Sequence, residues 1–317
     1  MFAAAVLAAA LSACGGGESL EEEGGQGGQG DTGAKGSLVV GSAGFTESEI
    51  MAQMYAQLLA DAGYGTRVQE LANRELYEPQ LEDGQIDVVP EYAATLAEFL
   101  NAKANGPDAP AENPVASSDV EETVAALKEL AGPRGLTVLP AGDAVDQNAF
   151  AVTEEFAQEH GLETLSDVGE ADLPIRLAAG DECPERPFCQ PGLEDTYGID
   201  VTALDPVGVG TVQAKQSVAD GKNDMVLTTT TDATLEQFGL VLLEDDKGLQ
   251  NADNVLPVVN TEDAGDQEIA DTLTRLTRVL TTEDLTELNR KVDADREKAA
   301  DVAREYLESK DLLNQDG

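Results

Sequence analysis

The chain has 317 residues, enough for two domains with cores of their own, because a single core stops growing beyond ~250 residues. Its 62 acidic residues against 19 basic ones give a net charge of −43, and removing residues 1–36, which carry five acidic residues and one basic, still leaves −39. That field excludes nucleic acid as a partner, since phosphate recognition rests on Lys and Arg clusters that the sequence lacks. A diffuse acidic surface is a solubility adaptation, as to salt, and weakly favours cationic solutes.

In chain order, Phe2 to Leu11 are nearly all apolar. The run is too short to span a bilayer and has the length of a signal-peptide core. Leu11-Ser12-Ala13-Cys14 follows and looks like a bacterial lipobox, in which the Cys14 thiol is acylated and becomes the first residue after cleavage. The expectation is a signal peptide over 1–13, a lipid anchor on Cys14 and a flexible Gly/Gln/Glu tether over 14–36.

The body opens with a strand at Leu38 to Gly41 and a helix from Thr46 towards Gly63, with Ile50, Met51, Met54, Tyr55, Leu58 and Leu59 on one face. Thr46 and Glu49 stand at capping-box spacing. A strand at Thr66 to Leu71, a helix into Asp83, a strand at Ile86 to Val89 and a helix from Glu91 to Asn101 come next. This alternation argues for a parallel sheet flanked by helices. Residues 102–118 read as a surface loop, followed by a helix at Asp119 to Ala131 and a strand at Leu136 to Leu139.

A second strand-and-helix series runs from about Asn148 to Leu243, and beyond Val259 the chain reads as helical to its end. Those last helices need a surface to cover. A return to the first lobe supplies one, and two chain crossings then make a hinge. The stretch "LEDGQIDVVPEY" (81–92) has a near copy in "VADGKNDMVLTT" (218–229), matching Asp83-Gly84 and Asp87 to Asp220-Gly221 and Asp224. Each copy reads as a helix ending at Gly and followed by a buried strand, so two lobes share one plan.

Cys183 and Cys189, in "ECPERPFCQPG", read as a disulfide-closed loop worth roughly 2 kcal/mol by loop entropy. A metal site is the poorer reading, with one His and no second Cys pair. That His, His160, sits near a helix end without a Ser or Cys motif beside it. "GVGT" (208–211) lacks the remaining glycines and Lys of a phosphate loop and reads as a helix N-terminus. The chain has the look of a binder without cofactor rather than a catalyst.

The blocks "VVGSAGFTESEI", "LEDGQIDVVPEY", "DQNAFAV", "PGLEDTYG", "TTDAT" and "LLEDDKGLQNADNVLPVV" together resemble the glycine betaine/choline/carnitine (OpuAC/ProX-like) substrate-binding proteins of ABC importers, over about Leu38 to Leu307. The resemblance implies an α/β, two-lobed periplasmic-binding-protein-like fold of type II, each lobe a mainly parallel sheet flanked by helices around a hinged cleft. It places one lobe at 37–144 plus 246–317 and the other at 145–245. It further implies an extracytoplasmic, lipid-anchored monomer that hands a small solute to ABC permease subunits, with ATP hydrolysis done by another subunit.

Such proteins hold a quaternary ammonium head in a box of rings. Carried over by position, Tyr92 keeps its ring, Phe150 stands where a Tyr is usual, and Thr229 and Asp253 replace two further tyrosines. Phe45 and Thr46 of the Phe-Thr-Glu block, and Thr95, are further binding candidates. Arg186 matches an Arg that meets the ligand carboxylate, whereas the usual early Lys is Ala43. The function implied is capture of glycine betaine, choline or a relative by lobe closure. The eroded box leaves a receptor for another small amine or amino acid as the alternative; an enzyme on the same scaffold or a structural surface lipoprotein stand further off.

Overall fold

A computed structural model describes residues 35–313 apart from 72, 108, 182 and 187, so Cys14 and the expected signal peptide, anchor and most of the tether lie outside the described residues. The first half reads β1 (Ser37–Ser42), α1 (Thr46–Asp61), β2 (Gly65–Glu70), α2 (Arg74–Glu82), β3 (Val88–Tyr92), α3 (Ala93–Asn105), α4 (Ala109–Glu112), α5 (Val120–Ala131) and β4 (Leu136–Val138). The second contains β5 (Asn148–Thr153), α6 (Glu154–His160), α7 (Leu165–Glu170), β6 (Pro174–Ala179), α8 (Gln190–Gly192), β7 (Asp200–Pro206), α9 (Val212–Ala219), β8 (Met225–Thr229) and β9 (Leu240–Leu243). The chain then returns through β10 (Val255–Asn260), α10 (Thr261–Ala264), α11 (Gln267–Thr277), α12 (Thr282–Asp293) and α13 (Ala299–Ser309).

Two five-stranded sheets result, ordered β2-β1-β3-β10-β4 and β7-β6-β8-β5-β9. β1 runs parallel to β2 and β3, and β6 parallel to β7 and β8. β10 is antiparallel to both its neighbours in the first sheet, as β5 is in the second. Each sheet is therefore mainly parallel, and its one reversed strand is the one delivered by a crossing from the other sheet. β3 reaches Tyr92, beyond the strand expected at Ile86 to Val89, because Pro90, Glu91 and Tyr92 pair with Pro257, Leu256 and Val255 of β10. Local pattern carries no trace of that long-range partner.

The repeated stretches are equivalent corners. Gly84 and Gly221 have φ of 68° and 70°, the left-handed conformation that ends α2 and α9. Two residues of each following loop donate backbone N–H groups back to one carbonyl, Gln80 in the first corner and Ser217 in the second. The Asp87 carboxylate then accepts from Val39 N of β1 (2.6 Å), and the Asp224 carboxylate from Arg176 N of β6 (2.8 Å).

The C-terminal helices cover α1. Ile50, Met54, Leu58 and Leu59 pack with Ile269, Leu273 and Leu276 of α11, Leu285 and Leu288 of α12, and Val302 and Leu307 of α13. The predicted capping box at Thr46 does not form. Phe45 takes the N-cap position without a side-chain cap, and Thr46 Oγ1 donates to Asp293 Oδ1 (2.7 Å) on the covering α12.

Residues 139–147 and 244–254 make the two crossings, and they pair with each other through Val145 and Asn254. Most of the second crossing belongs with the second sheet. Asp245 accepts from Tyr197 OH, Leu249 N and Gln250 N, Lys247 N donates to Tyr197 OH, and Gln250 Nε2 donates to Phe188 O (2.9 Å). Ala252 N, by contrast, donates to Ser117 O on the first-sheet side.

Candidate functional site

A cavity of about 790 Å³ opens between the two sheets, at the ends of β3 and β8. Each corner delivers the last residue of its strand to it, Tyr92 from one and Thr229 from the other. Binding at the carboxyl ends of strands is the general habit of open α/β sheets.

Phe45, raised into the cleft at the start of α1 and 46% exposed, stands 6.2 Å from the Tyr92 ring at an interplanar angle of 31°. Tyr92 itself is buried, and its OH donates to Glu47 Oε1 (2.8 Å). Glu47 Oε2 accepts from Asn289 Nδ2 (2.8 Å) of α12. Burial, with Asp146 adding to it, pushes the Glu47 carboxyl up to about 7 against the hydrogen bonds from Asn289, Tyr92 and Thr231.

At the opposite wall, Arg74 opens α2 and forks onto Glu91 through Nε (3.0 Å) and Nη2 (2.7 Å), with Nη2 also donating to Thr95 Oγ1 (2.9 Å). Tyr77 OH donates to the same Glu91 (2.6 Å). Asp253 Oδ1 accepts from Ala94 N (2.9 Å) and Thr95 N (3.1 Å), capping α3 from a crossing segment far away in sequence. Burial pushes the Asp253 carboxyl up to about 7, opposed by these amides and by Arg74.

Of the expected binding residues, Phe45, Tyr92, Thr95, Arg186, Thr229 and Asp253 line this cavity. Phe150 does not. It lies between β8 and β9, opposite Leu227 and Leu243, is 1% exposed within the second core, and borders a smaller cavity of about 430 Å³ that shares Gln147, Asn148 and Gln250 with the cleft. Two residues earlier on β5, Asn148 is the cleft residue and pairs in register with Thr229. Thr46 is turned towards Asp293 and does not line the cavity.

Sequence reasoning missed Arg74, Asp146, Gln147, Asn148, Phe188 and Gln250, all of which line the cleft. Asp146 and Asn148 sit in the "DQNAF" block, whose family signal falls on its aromatic residue, and nothing local marks Arg74. Cys183 and Cys189 form a disulfide with Cα atoms 5.2 Å apart, and the loop it closes carries both Arg186 and Phe188. Among the described residues no group of three or more His, Cys, Asp or Glu side chains is placed to hold a metal ion, and no helix is long and apolar enough to cross a membrane.

Two sheets of one topology, joined by two crossings around a shared cleft, define a two-lobed solute-binding protein. The chain belongs to the family described as the substrate-binding domain of the ABC-type glycine betaine transport system, whose model matches residues 36–309. It is 27% identical over 288 residues to the glycine-betaine-binding protein of Pseudomonas aeruginosa, covering 88% of this chain and 89% of that protein. The crystal structure of a glycine betaine/carnitine/choline ABC transporter superposes with a TM-score of 0.73 at 22% identity, covering 87% of this chain and all of the other. Apo YehZ from Escherichia coli gives a TM-score of 0.73 at 23% identity over 87% of this chain and 99% of its own. Substrate-binding proteins of ABC importers act outside the cytoplasm with permease subunits.

Proposed function

We propose that the chain is the solute receptor of an ABC importer, capturing a quaternary-ammonium osmoprotectant such as glycine betaine or choline by closure of its two lobes. The observation that carries this reading is the pairing of Phe45 and Tyr92 at 6.2 Å in a cleft also lined by Asp146 and Asp253. Ring faces and carboxylates both attract a cation, and the rings do so without the desolvation of a counter-ion. Arg186, exposed in the disulfide loop, suits the carboxylate of a zwitterion. Tyr92, Phe45, Thr95, Thr229, Asp253 and Arg186 are the binding residues of this reading, with Asn148 and Phe188 added and Phe150 and Thr46 in supporting places.

A second reading, a receptor for another small amine or amino acid, is favoured by one observation. Asn148, Thr229 and Gln147 present hydrogen-bonding groups that a quaternary ammonium, with no N–H of its own, leaves unused. In either case the receptor performs no chemical step. It works as a monomer held to the membrane through Cys14, with residues 37–144 and those from about 251 onward moving against 145–250. This shifts the second boundary from 246, because Asp245 to Gln250 are bonded to the second sheet's side.

Thermal unfolding with choline, glycine betaine, carnitine, ectoine and amino acids tests the reading. A ligand at 100 times its Kd stabilises the folded state by about 2.7 kcal/mol and raises Tm. A rise with choline or glycine betaine is expected; a rise with amino acids alone overturns the osmoprotectant assignment in favour of the second reading.

A further inference from the structure

The floor of the cleft is where the two crossings meet. Asp146 N donates to Asp253 O (3.2 Å) beside the bridge of Val145 with Asn254, so each crossing contributes one carboxyl to the same cavity. Asp146 belongs to the second lobe's hydrogen bonding, with Thr231 Oγ1 donating to its Oδ1 (2.9 Å) and Thr229 also bonded to it. Asp253 belongs to the first, through the amides that open α3. Glu47 stands behind the pair within electrostatic reach of Asp146.

Two arginines line the cavity: Arg186, on the disulfide loop, pairs with neither carboxyl, and Arg74 is committed elsewhere. Arg74 faces Asp253 from α2 but forks onto Glu91. On the second lobe Asp232 faces Asp146, and its own charge is matched by Lys215 at 2.7 Å. Tyr92 and Tyr77 face the cluster as neutral phenols, and Asn289 meets Glu47 with its amide. Among the described residues, no Lys or Arg forms an ion pair with Asp146, Asp253 or Glu47.

We propose that the two hinge carboxyls, Asp146 and Asp253, seat the cationic head of the solute, and that the cation enters by displacing a proton from them, so that capture releases protons and weakens as pH falls. The inference rests on the reading of the cleft as a solute site. It deepens that reading by making affinity depend on protonation at the hinge itself. The step balances simply: a protonated carboxyl and a free cation become a carboxylate paired with that cation, and one proton leaves to solvent.

The shifts of these groups agree with it. Burial raises Asp146 and pushes Asp253 up to about 7, so the empty floor retains protons where ordinary carboxyls are fully ionised. A cation lowers both values. The unoccupied site then holds more protons than the occupied one below about pH 7, so affinity rises with pH through that range and levels off above it. Closure over an empty, neutral floor would bury no uncompensated charge, whereas closure over a cation buries a matched pair.

Calorimetric titration of the folded protein with choline, and in parallel with glycine betaine, at pH 6, 7 and 8 in two buffers of different ionisation enthalpy tests the proposal. The expected result is a Kd about tenfold weaker at pH 6 than at pH 8, with a buffer-dependent heat equivalent to about one proton released at pH 6. Asp253→Asn, which keeps an acceptor for the α3 amides, and Asp146→Asn should each flatten the slope. If either variant fails to fold by circular dichroism, the wild-type slope and buffer heats decide alone. Equal Kd values across pH with no buffer-dependent heat overturn the proton coupling and leave the receptor reading standing. Absence of binding by both solutes at every pH overturns both.

Discussion

Tyr92 acts through two surfaces: its ring borders the cleft beside Phe45, and its hydroxyl is spent on Glu47 behind. The two can be separated. Tyr92→Ala removes the ring and with it about 0.5 to 2 kcal/mol of cation–π attraction, so affinity for choline should fall about tenfold by calorimetry. Tyr92→Phe keeps the ring and should lose less than about threefold; an equal loss in both variants would mean that the hydroxyl, not the ring, carries the effect. Tyr92 was legible through the family block alone, since the strand expected from local pattern ended at Val89 and β3 carries on to Tyr92 only by pairing with β10. Asp253 was legible as a cleft position but not as the cap of α3, because its partners, Ala94 and Thr95, are brought to it only by the return of β10. Phe150 misled because an aromatic on a strand looks the same whether its face meets a cleft or, as here, a core.

At the scale of elements, the duplicated corner tests how far its two copies remain equivalent. Both glycines have positive φ, so an alanine at either is strained by about 1 to 2 kcal/mol. A Cβ on Gly84 would also stand 2.3 Å from Asp263 Oδ2, whereas one on Gly221 meets nothing within 4 Å. Urea unfolding should therefore show Gly84→Ala costing about 1 kcal/mol more than Gly221→Ala; equal losses would show that the Asp263 side chain swings aside freely. The corners themselves were readable, since Asp-Gly before an apolar run specifies helix end and strand start over a few residues. The capping box at Thr46 was not, because α12 competes for that hydroxyl through Asp293.

For the whole molecule, the division of bonding at the second crossing says where the proposed lobe closure would bend the chain. Asp245 to Gln250 bond to the second sheet's side and Ala252 to the first, so the proposed closure would pivot at Asn251, opposite the Val145 to Asp146 step of the first crossing. Small-angle scattering with and without a saturating solute should show a smaller radius of gyration in its presence. An unchanged radius on a protein that binds the solute by calorimetry would mean that capture proceeds without closure.

The sequence by itself determined the α/β alternation, the doubled lobe plan, the disulfide loop and the acid field, because each follows from composition or from contacts spanning a few residues. It did not determine that β5 and β10 would run against their neighbours, nor which side chains would meet at the floor. Those depend on two strands being handed from one sheet to the other. Only once the crossings pair at Val145 and Asn254 do Asp146 and Asp253 reach one cavity, and only then does burial raise their proton affinity. The chemistry of the cleft is thus a property of the topology: a carboxylate far along the chain reads as one more solvated charge until the fold removes the water around it.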